Sequence, residues 1–173
     1  MLIEERNYSE IEKRDLLELL EGSVAQVNNY FYSKKGEKWL ELYNINNPLC
    51  VALCQGAAMH YYDKSNGIKD FDIWIFYPFN QKHLPYRTYW NWFYNNSKFG
   101  LHSVYSSEKG RKVDVLVRSV KNYVPNDPVA TIYSYFKNEG TITSQLLLQK
   151  AVVLLSPEYY FGKVIWYKGV VIS

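Results

Sequence analysis

The chain has 173 residues, of which 47% are hydrophobic and 21% charged. This is a globular composition that excludes a disordered chain, and the length suits a single domain spanning residues 1–173. The formal net charge of +3 gives no indication of a nucleic-acid surface, and no apolar run reaches the length of a membrane span.

Both cysteines, Cys50 and Cys54, lie in an apolar run, and no second ligand pair accompanies them. We therefore expect buried free thiols rather than a zinc site. Free thiols suit a reducing compartment, and the N-terminus lacks the apolar segment of a signal peptide. These features predict a cytoplasmic protein.

Helical patterns fill a predicted N-terminal extension over residues 1–48. A capping-box pattern at Ser9-Glu10-Ile11-Glu12 and near-helical leucine spacing predict a first helix over residues 9–21, which Gly22 ends or bends. A second helical segment is predicted over residues 24–32, followed by a short one over residues 37–43.

Strand patterns concentrate in a predicted core over residues 49–118. Strands are expected at residues 49–54, at the acidic stretch that ends at Pro78, at 101–106 and at 112–118, with a hairpin around residues 108–110. A short helix is expected over residues 57–63. The aromatic residues 84–97 are expected to be helical in part, because Tyr89, Trp92 and Phe93 have i, i+3, i+4 spacing.

The remainder, residues 126–173, is predicted to form C-terminal helices and a tail. Helices are expected over residues 127–138 and 143–155, and the tail is expected to form a strand with aromatic contacts to the core. Together these elements predict an α/β (α+β) fold in which a small mixed sheet is flanked by helices, with extra helices at both ends.

Asp70-Phe71-Asp72 precedes the apolar run of residues 73–76. Side chains two residues apart on a strand lie on the same face, roughly 6–7 Å apart, so the two carboxylates would repel each other. A hard, oxygen-binding cation would relieve this repulsion, and Mg²⁺ fits best. The alternative is a strand entry in which Asp70 caps a turn and Asp72 faces water.

Asp114 also interrupts an apolar run, in Val113-Asp114-Val115. If its strand neighbours that of Asp70 and Asp72, three carboxylates can hold two divalent ions that bind a triphosphate. Asp114 would then help to remove a proton from an attacking hydroxyl. The alternative is that Asp114 pairs with Arg118 or Lys112 along its own strand.

Gly56-Ala57 follows the first strand and begins a short helix, whose free N–H groups favour phosphate. Arg118, on the same strand face as Asp114, and Lys69, beside Asp70, are the best candidates among the basic side chains for phosphate binding. Solvated surface roles remain the alternative for each of them.

These pieces resemble the nucleotidyltransferase superfamily with the DNA polymerase β-type minimal fold. The matching features are a hydrophobic strand, Gly56, a spacer, Asp70-Phe71-Asp72 and the later Val113-Asp114-Val115. Gln55-Gly56-Ala57-Ala58-Met59 is similar to the Gly-Gly-Thr-Ala-Leu form in nucleotidyltransferases of bacterial abortive-infection and toxin–antitoxin systems. The resemblance covers residues 49–118.

The resemblance implies a metal-dependent transfer of a nucleoside monophosphate from an NTP to a hydroxyl acceptor. Asp70, Asp72 and Asp114 would bind two Mg²⁺ ions, with Mn²⁺ as an alternative metal. Ala57 departs from the family, which often has Ser or Thr there. This departure favours a second hypothesis, a weakly active or inactive binding or regulatory protein with a protein partner.

Overall fold

A mixed sheet of seven strands organises the protein. The computed structural model describes residues 6–33, 35–36, 48–79, 87–100, 110–139, 141–142, 145 and 149–172. The helices are α1 (Lys13–Phe31), α2 (Gln55–Asp63) and α3 (Pro128–Ser134), which continues as a π-helical turn over Tyr135–Glu139. The strands are β1 (Cys50–Cys54), β2 (Phe71–Pro78), β3 (Arg87–Tyr94), β4 (Arg111–Val120), β5 (Ala151–Ser156), β6 (Lys163–Tyr167) and β7 (Val170–Val171).

The strand order is β3-β4-β2-β1-β5-β6-β7. Strands β2 and β4 run parallel, and the other neighbouring pairs are antiparallel. The predicted mixed sheet with flanking helices is therefore confirmed at the level of an α+β fold. None of the helices in the described part of the chain has both the length and the apolar character needed to cross a membrane.

Strand alternation sends side chains into two separate cores. One core contains Ile73 of β2 and Val115 of β4 and lies against α1, while the other contains Trp74 and lies against α3. The thiols of Cys50 and Cys54 are free and buried, as the sequence predicts. Burial raises the pKa of both thiols, so they stay protonated.

Helix α1 differs from the prediction in its start and its length. It begins after Glu12, whose backbone N–H donates to the Asp15 carboxylate at 2.8 Å, and it runs without a break through Gly22 to Phe31. The two segments predicted before and after Gly22 are therefore one helix, and the prediction of an end or bend there is wrong. Gly22 permits close packing, because a Cβ at this position would lie 2.4 Å from the Trp92 ring.

Two predicted helices are wrong over residues 87–94 and 151–155, which form strands. Residues 87–94 form strand β3, in which Trp90 and Trp92 pack towards the core on the α1 side while Tyr89 is exposed. Residues 151–155 lie in β5, where the apolar run is buried on both faces. The predicted elements at residues 37–43 and 101–106, and residues 108 and 109 of the predicted hairpin, lie outside the described residues.

Gly22→Ala is expected to lower the free energy of unfolding by about 1–3 kcal/mol, the usual cost of overpacking. Helix propensity alone predicts a gain of up to about 1 kcal/mol from the same substitution. We expect the clash with the Trp92 ring to outweigh helix propensity, because Trp92 is held in place by its Nε1–H bond of 3.1 Å to Ser23 Oγ. Urea denaturation of the wild type and the variant measures the difference.

The control is the same substitution in a Trp92→Phe background, where the smaller ring removes the clash. Gly22→Ala should be neutral or stabilising there. An equal loss of stability in both backgrounds would contradict the packing explanation.

Candidate active site

One end of the sheet, which we call the site end, gathers all of the predicted functional residues except Arg118. Strand β1 ends there and β2, β4 and β5 begin there, because β1 is antiparallel to β2 and β5 while β4 is parallel to β2. Asp72 is the register partner of both Cys54 on β1 and Asp114 on β4. The fold thus brings Asp72 and Asp114 side by side on adjacent strands, about 4.8 Å apart along the hydrogen-bonding direction.

Asp72 and Asp114 also share a face of the sheet. Alternation along β2 puts Asp72 on the face of Trp74, and alternation along β4 puts Asp114 on the face of Leu116. Asp70 immediately precedes β2, two residues before Asp72. The acidic side chains therefore occupy the site end of one face, and not scattered positions on the surface.

The charges at this site end act on one another. The pKa of Asp72 is raised well above its ordinary value, first by burial and then by the negative charges of Asp70 and Asp114. Lys150 and Lys112 oppose this shift without cancelling it. Asp72 is therefore a carboxyl group whose ionised form the surrounding structure disfavours.

Asp114 is 8% exposed and has two partners within reach. Lys112 Nζ lies 2.9 Å from its Oδ1, and the phenol O–H of Tyr89 donates a hydrogen bond to the same oxygen. The ion pair with Lys112 that the sequence left open as an alternative is thus present. Asp114 therefore pairs with Lys112 and also lies beside Asp72.

A cavity of about 280 Å³ adjoins Asp70 and Asp72, whereas Asp114 is not among its lining residues. It is lined by Arg6, Gln55, Gly56, Ala57, Asn66, Lys69, Asp70, Asp72 and Lys150. Five of the predicted site residues, namely Gly56, Ala57, Lys69, Asp70 and Asp72, therefore surround a single space, with basic side chains on its wall.

The start of α2 forms one wall of the cavity and has an unusual backbone. Gln55 has a φ of +63°, in the left-handed region that costs roughly 1–2 kcal/mol for a residue with a side chain. Gly56 follows, and its carbonyl accepts a 3.2 Å hydrogen bond from Asn66 Nδ2. A Cβ on Gly56 would lie 2.7 Å from that nitrogen, so the close approach of Asn66 requires glycine.

His60 on α2 fixes the loop that carries Asn66. The Gly67 N–H donates to its Nδ1 at 3.1 Å, which leaves Nε2–H to donate to the Ser9 carbonyl at 3.0 Å. Asn7 and Ile68 form a β-bridge beside this contact. The bridge brings the N-terminal segment, and with it Arg6, to the cavity.

Arg6, Asn66 and Lys150 are cavity residues that sequence reasoning missed. Arg6 and Lys150 lie far from the motifs along the chain, and the prediction of a helix over residues 143–155 concealed the position of Lys150 at the start of a central strand. Asn66 stood in a predicted turn, where asparagine is common for purely local reasons. Lys150 could be placed at the cavity only with knowledge that β5 pairs with β1.

Arg118 does not reach the cavity. It lies four residues beyond Asp114, roughly 13 Å along the strand. Its guanidinium donates to the carbonyls of Thr88 and Val117 and lies 5.3 Å from the centre of the Trp74 ring. The structure therefore gives Arg118 a packing and hydrogen-bonding position away from the carboxylates.

Arg111, at the start of β4, links the acidic strands. Its buried guanidinium donates to the Phe99 carbonyl at 2.7 and 3.0 Å and to the Lys69 carbonyl at 3.2 Å. Lys69 immediately precedes Asp70, so this contact fixes the entry of β2 relative to β4. Asp70 is held close to the Asp72–Asp114 pair as a result.

The donor chemistry of the three carboxylates fits magnesium, which prefers oxygen ligands. Burial raises the pKa of Asp72 first, and the negative charges of Asp70 and Asp114 raise it further. Their present arrangement is not a closed chelate: within the described residues, no group of three or more His, Cys, Asp or Glu side chains forms a metal-holding cluster. The site fits the metal in ligand type and in charge.

Comparison with known proteins adds no further assignment. No family model, no curated protein and no solved structure matches the chain significantly.

Asp72→Asn is expected to raise the free energy of unfolding at neutral pH by about 1–3 kcal/mol, because it removes a carboxyl group whose ionisation the folded state disfavours. The pKa of Asp72 is raised in the folded state, so ionisation of this group lowers the free energy of unfolding of the wild type. The loss is complete above the folded-state pKa and absent below the unfolded-state pKa near 3.9. The gain should therefore vanish as the pH falls to about 4. Denaturation curves between pH 4 and 8 measure it.

Asp114→Asn is the matched control for this prediction. It breaks the ion pair with Lys112, so it should lower the free energy of unfolding at neutral pH by about 1–3 kcal/mol. Equal effects of the two substitutions would show that Asp72 is not specifically strained by its neighbours.

Proposed function

We propose that the protein is a metal-dependent nucleotidyltransferase that moves a nucleoside monophosphate from an NTP to a hydroxyl acceptor. The observation that carries the proposal is the register pairing of Asp72 with Asp114 on adjacent parallel strands. Asp70 and the α2 start lie at the same site end. The resemblance over residues 49–118 requires these pieces to come together in space.

The cavity and the neighbouring Asp114 suit the metal ions and the triphosphate of the proposed reaction. Asp70, Asp72 and Asp114 would hold magnesium, which neutralises carboxylates and triphosphate together and polarises the phosphorus–oxygen bonds when bound. The N–H groups at the start of α2 and the side chains of Arg6 and Lys150 would bind the phosphate oxygens. This arrangement would orient the triphosphate across the cavity.

Asp114 is the group best placed to receive the proton of the acceptor hydroxyl. It is the carboxylate on β4, the strand beside β2 on the side away from β1 and the α2 start. An acceptor that approached from the β3 side would meet Asp114 first. Its contact with Tyr89 on β3 indicates that a hydroxyl group can reach this carboxylate.

A second candidate, a regulatory protein of the same fold with little or no catalysis, is favoured by one contact. Lys112 already neutralises Asp114, which lowers the electrostatic need for a metal at that position. Ala57 also favours this candidate, because its methyl group stands where members of the resembled family often have a Ser or Thr hydroxyl that would help to bind phosphate. Such a protein would bind nucleotide without transferring it.

Nucleotide binding tests the proposal. The wild type should bind a non-hydrolysable NTP analogue in the presence of Mg²⁺, and EDTA should weaken binding by at least about tenfold, or about 1.4 kcal/mol. Asp70→Asn and Asp72→Asn should each reproduce the effect of EDTA, since each removes a carboxylate ligand. Isothermal titration calorimetry measures all three.

The matched control is Glu158→Gln, which removes an exposed carboxylate that follows the far end of β5, whereas Lys150 of the cavity precedes its first residue. It should bind like the wild type. Mg²⁺-independent binding that the two aspartate variants retain would favour the regulatory candidate, and no binding of any NTP by the folded wild type would contradict both candidates.

A further inference from the structure

Tyr89 on β3 lies where the acceptor hydroxyl of the proposed reaction would have to be. Its phenol O–H donates a hydrogen bond to Oδ1 of Asp114, the proposed proton acceptor. A reacting hydroxyl must lie within such reach of its general base. We propose that Tyr89 is itself an acceptor, so that the protein attaches a nucleoside monophosphate to its own phenol oxygen; this inference rests on the proposed function.

The position of Tyr89 on the sheet explains the contact. Tyr89 is the register partner of Leu116, and Asn91 is the partner of Asp114. Tyr89 therefore lies on the same face as Asp114 and one diagonal step away, a separation that a long aromatic side chain can span. The ring would direct its hydroxyl towards the site end from the edge strand of the sheet.

Tyr89 is also accessible, unlike the aromatic residues on the other face of β3. It is 49% exposed, whereas Tyr94 is 5% exposed and donates its hydroxyl to Glu18. The Tyr89 side chain therefore lies at the surface of the protein, where a ligand can approach it.

Lys112 completes the environment that the transfer needs. Its Nζ lies 2.9 Å from Asp114 Oδ1 and 5.9 Å from the centre of the Tyr89 ring. A fixed cation at this point stabilises negative charge on the phenol oxygen as its proton leaves. The phenol, its proton acceptor and a stabilising cation thus lie together in the folded chain.

The proposed step is balanced by the NTP alone. The Tyr89 oxygen forms a bond to the α-phosphorus, and the bond from the α-phosphorus to the oxygen that bridges to the β-phosphorus breaks. The phenol proton passes to Asp114, and pyrophosphate leaves with the electron pair of the broken bond. The product is a phosphodiester between Tyr89 and the nucleoside.

Intact-mass spectrometry of the full chain tests the inference. The protein is incubated with Mg²⁺ and ATP, GTP, CTP or UTP in separate reactions, and modified samples are digested to map the site. We expect the added mass of one nucleoside monophosphate with at least one of the four, located on Tyr89. Tyr89→Phe should lose the adduct and still bind the Mg²⁺–NTP analogue.

Tyr159→Phe is the matched control, since Tyr159 is 76% exposed and belongs to another segment of the chain. It should be modified like the wild type, and Asp72→Asn should not be modified. An adduct that persists in Tyr89→Phe would overturn the inference. If the wild type binds NTP in a way that needs Mg²⁺ and Asp72 but forms no adduct, the inference is overturned while the proposed function stands. If the wild type binds no NTP, both are overturned.

Discussion

The repulsion between two carboxylates on neighbouring parallel strands is the constraint on which the site depends. Asp72 and Asp114 are register partners, and Asp70 adds a third negative charge next to them. Two unit charges about 5 Å apart repel by about 3 kcal/mol at an effective dielectric constant near 20. That energy is a substantial part of the stability of a small domain, and either protonation of Asp72 or a nearby cation relieves it.

The chain supplies part of that compensation through side chains. Lys112 pairs with Asp114, and Lys150 acts on Asp72 from the start of β5. The pKa of Asp72 stays raised despite both cations, first because of burial and then because of the neighbouring carboxylates. In the proposed function, magnesium supplies the remaining positive charge while Lys150 binds phosphate. The same electrostatic imbalance would thus couple metal binding to nucleotide binding.

The clustering of the acidic residues was easier to predict from the sequence than the strands around them. Asp72 and Asp114 were recognisable because each is a charged residue in an apolar strand, and Gly56 because it follows a buried strand. Strand β3 was missed because its aromatic residues satisfy helical and strand spacing alike, and tertiary pairing with β4 decided between them. The contributions of Arg6 and Lys150 to the cavity depend on long-range pairing, which no local pattern encodes.

The most direct test of the account is to locate the cation itself. Crystals grown with Mn²⁺ and a non-hydrolysable NTP would show the metal by its anomalous scattering. The account predicts a peak coordinated by oxygens of Asp70, Asp72 and Asp114, with the triphosphate against Lys150 and the start of α2. An ordered nucleotide with no metal between these carboxylates, or a metal bound elsewhere on the chain, would contradict it.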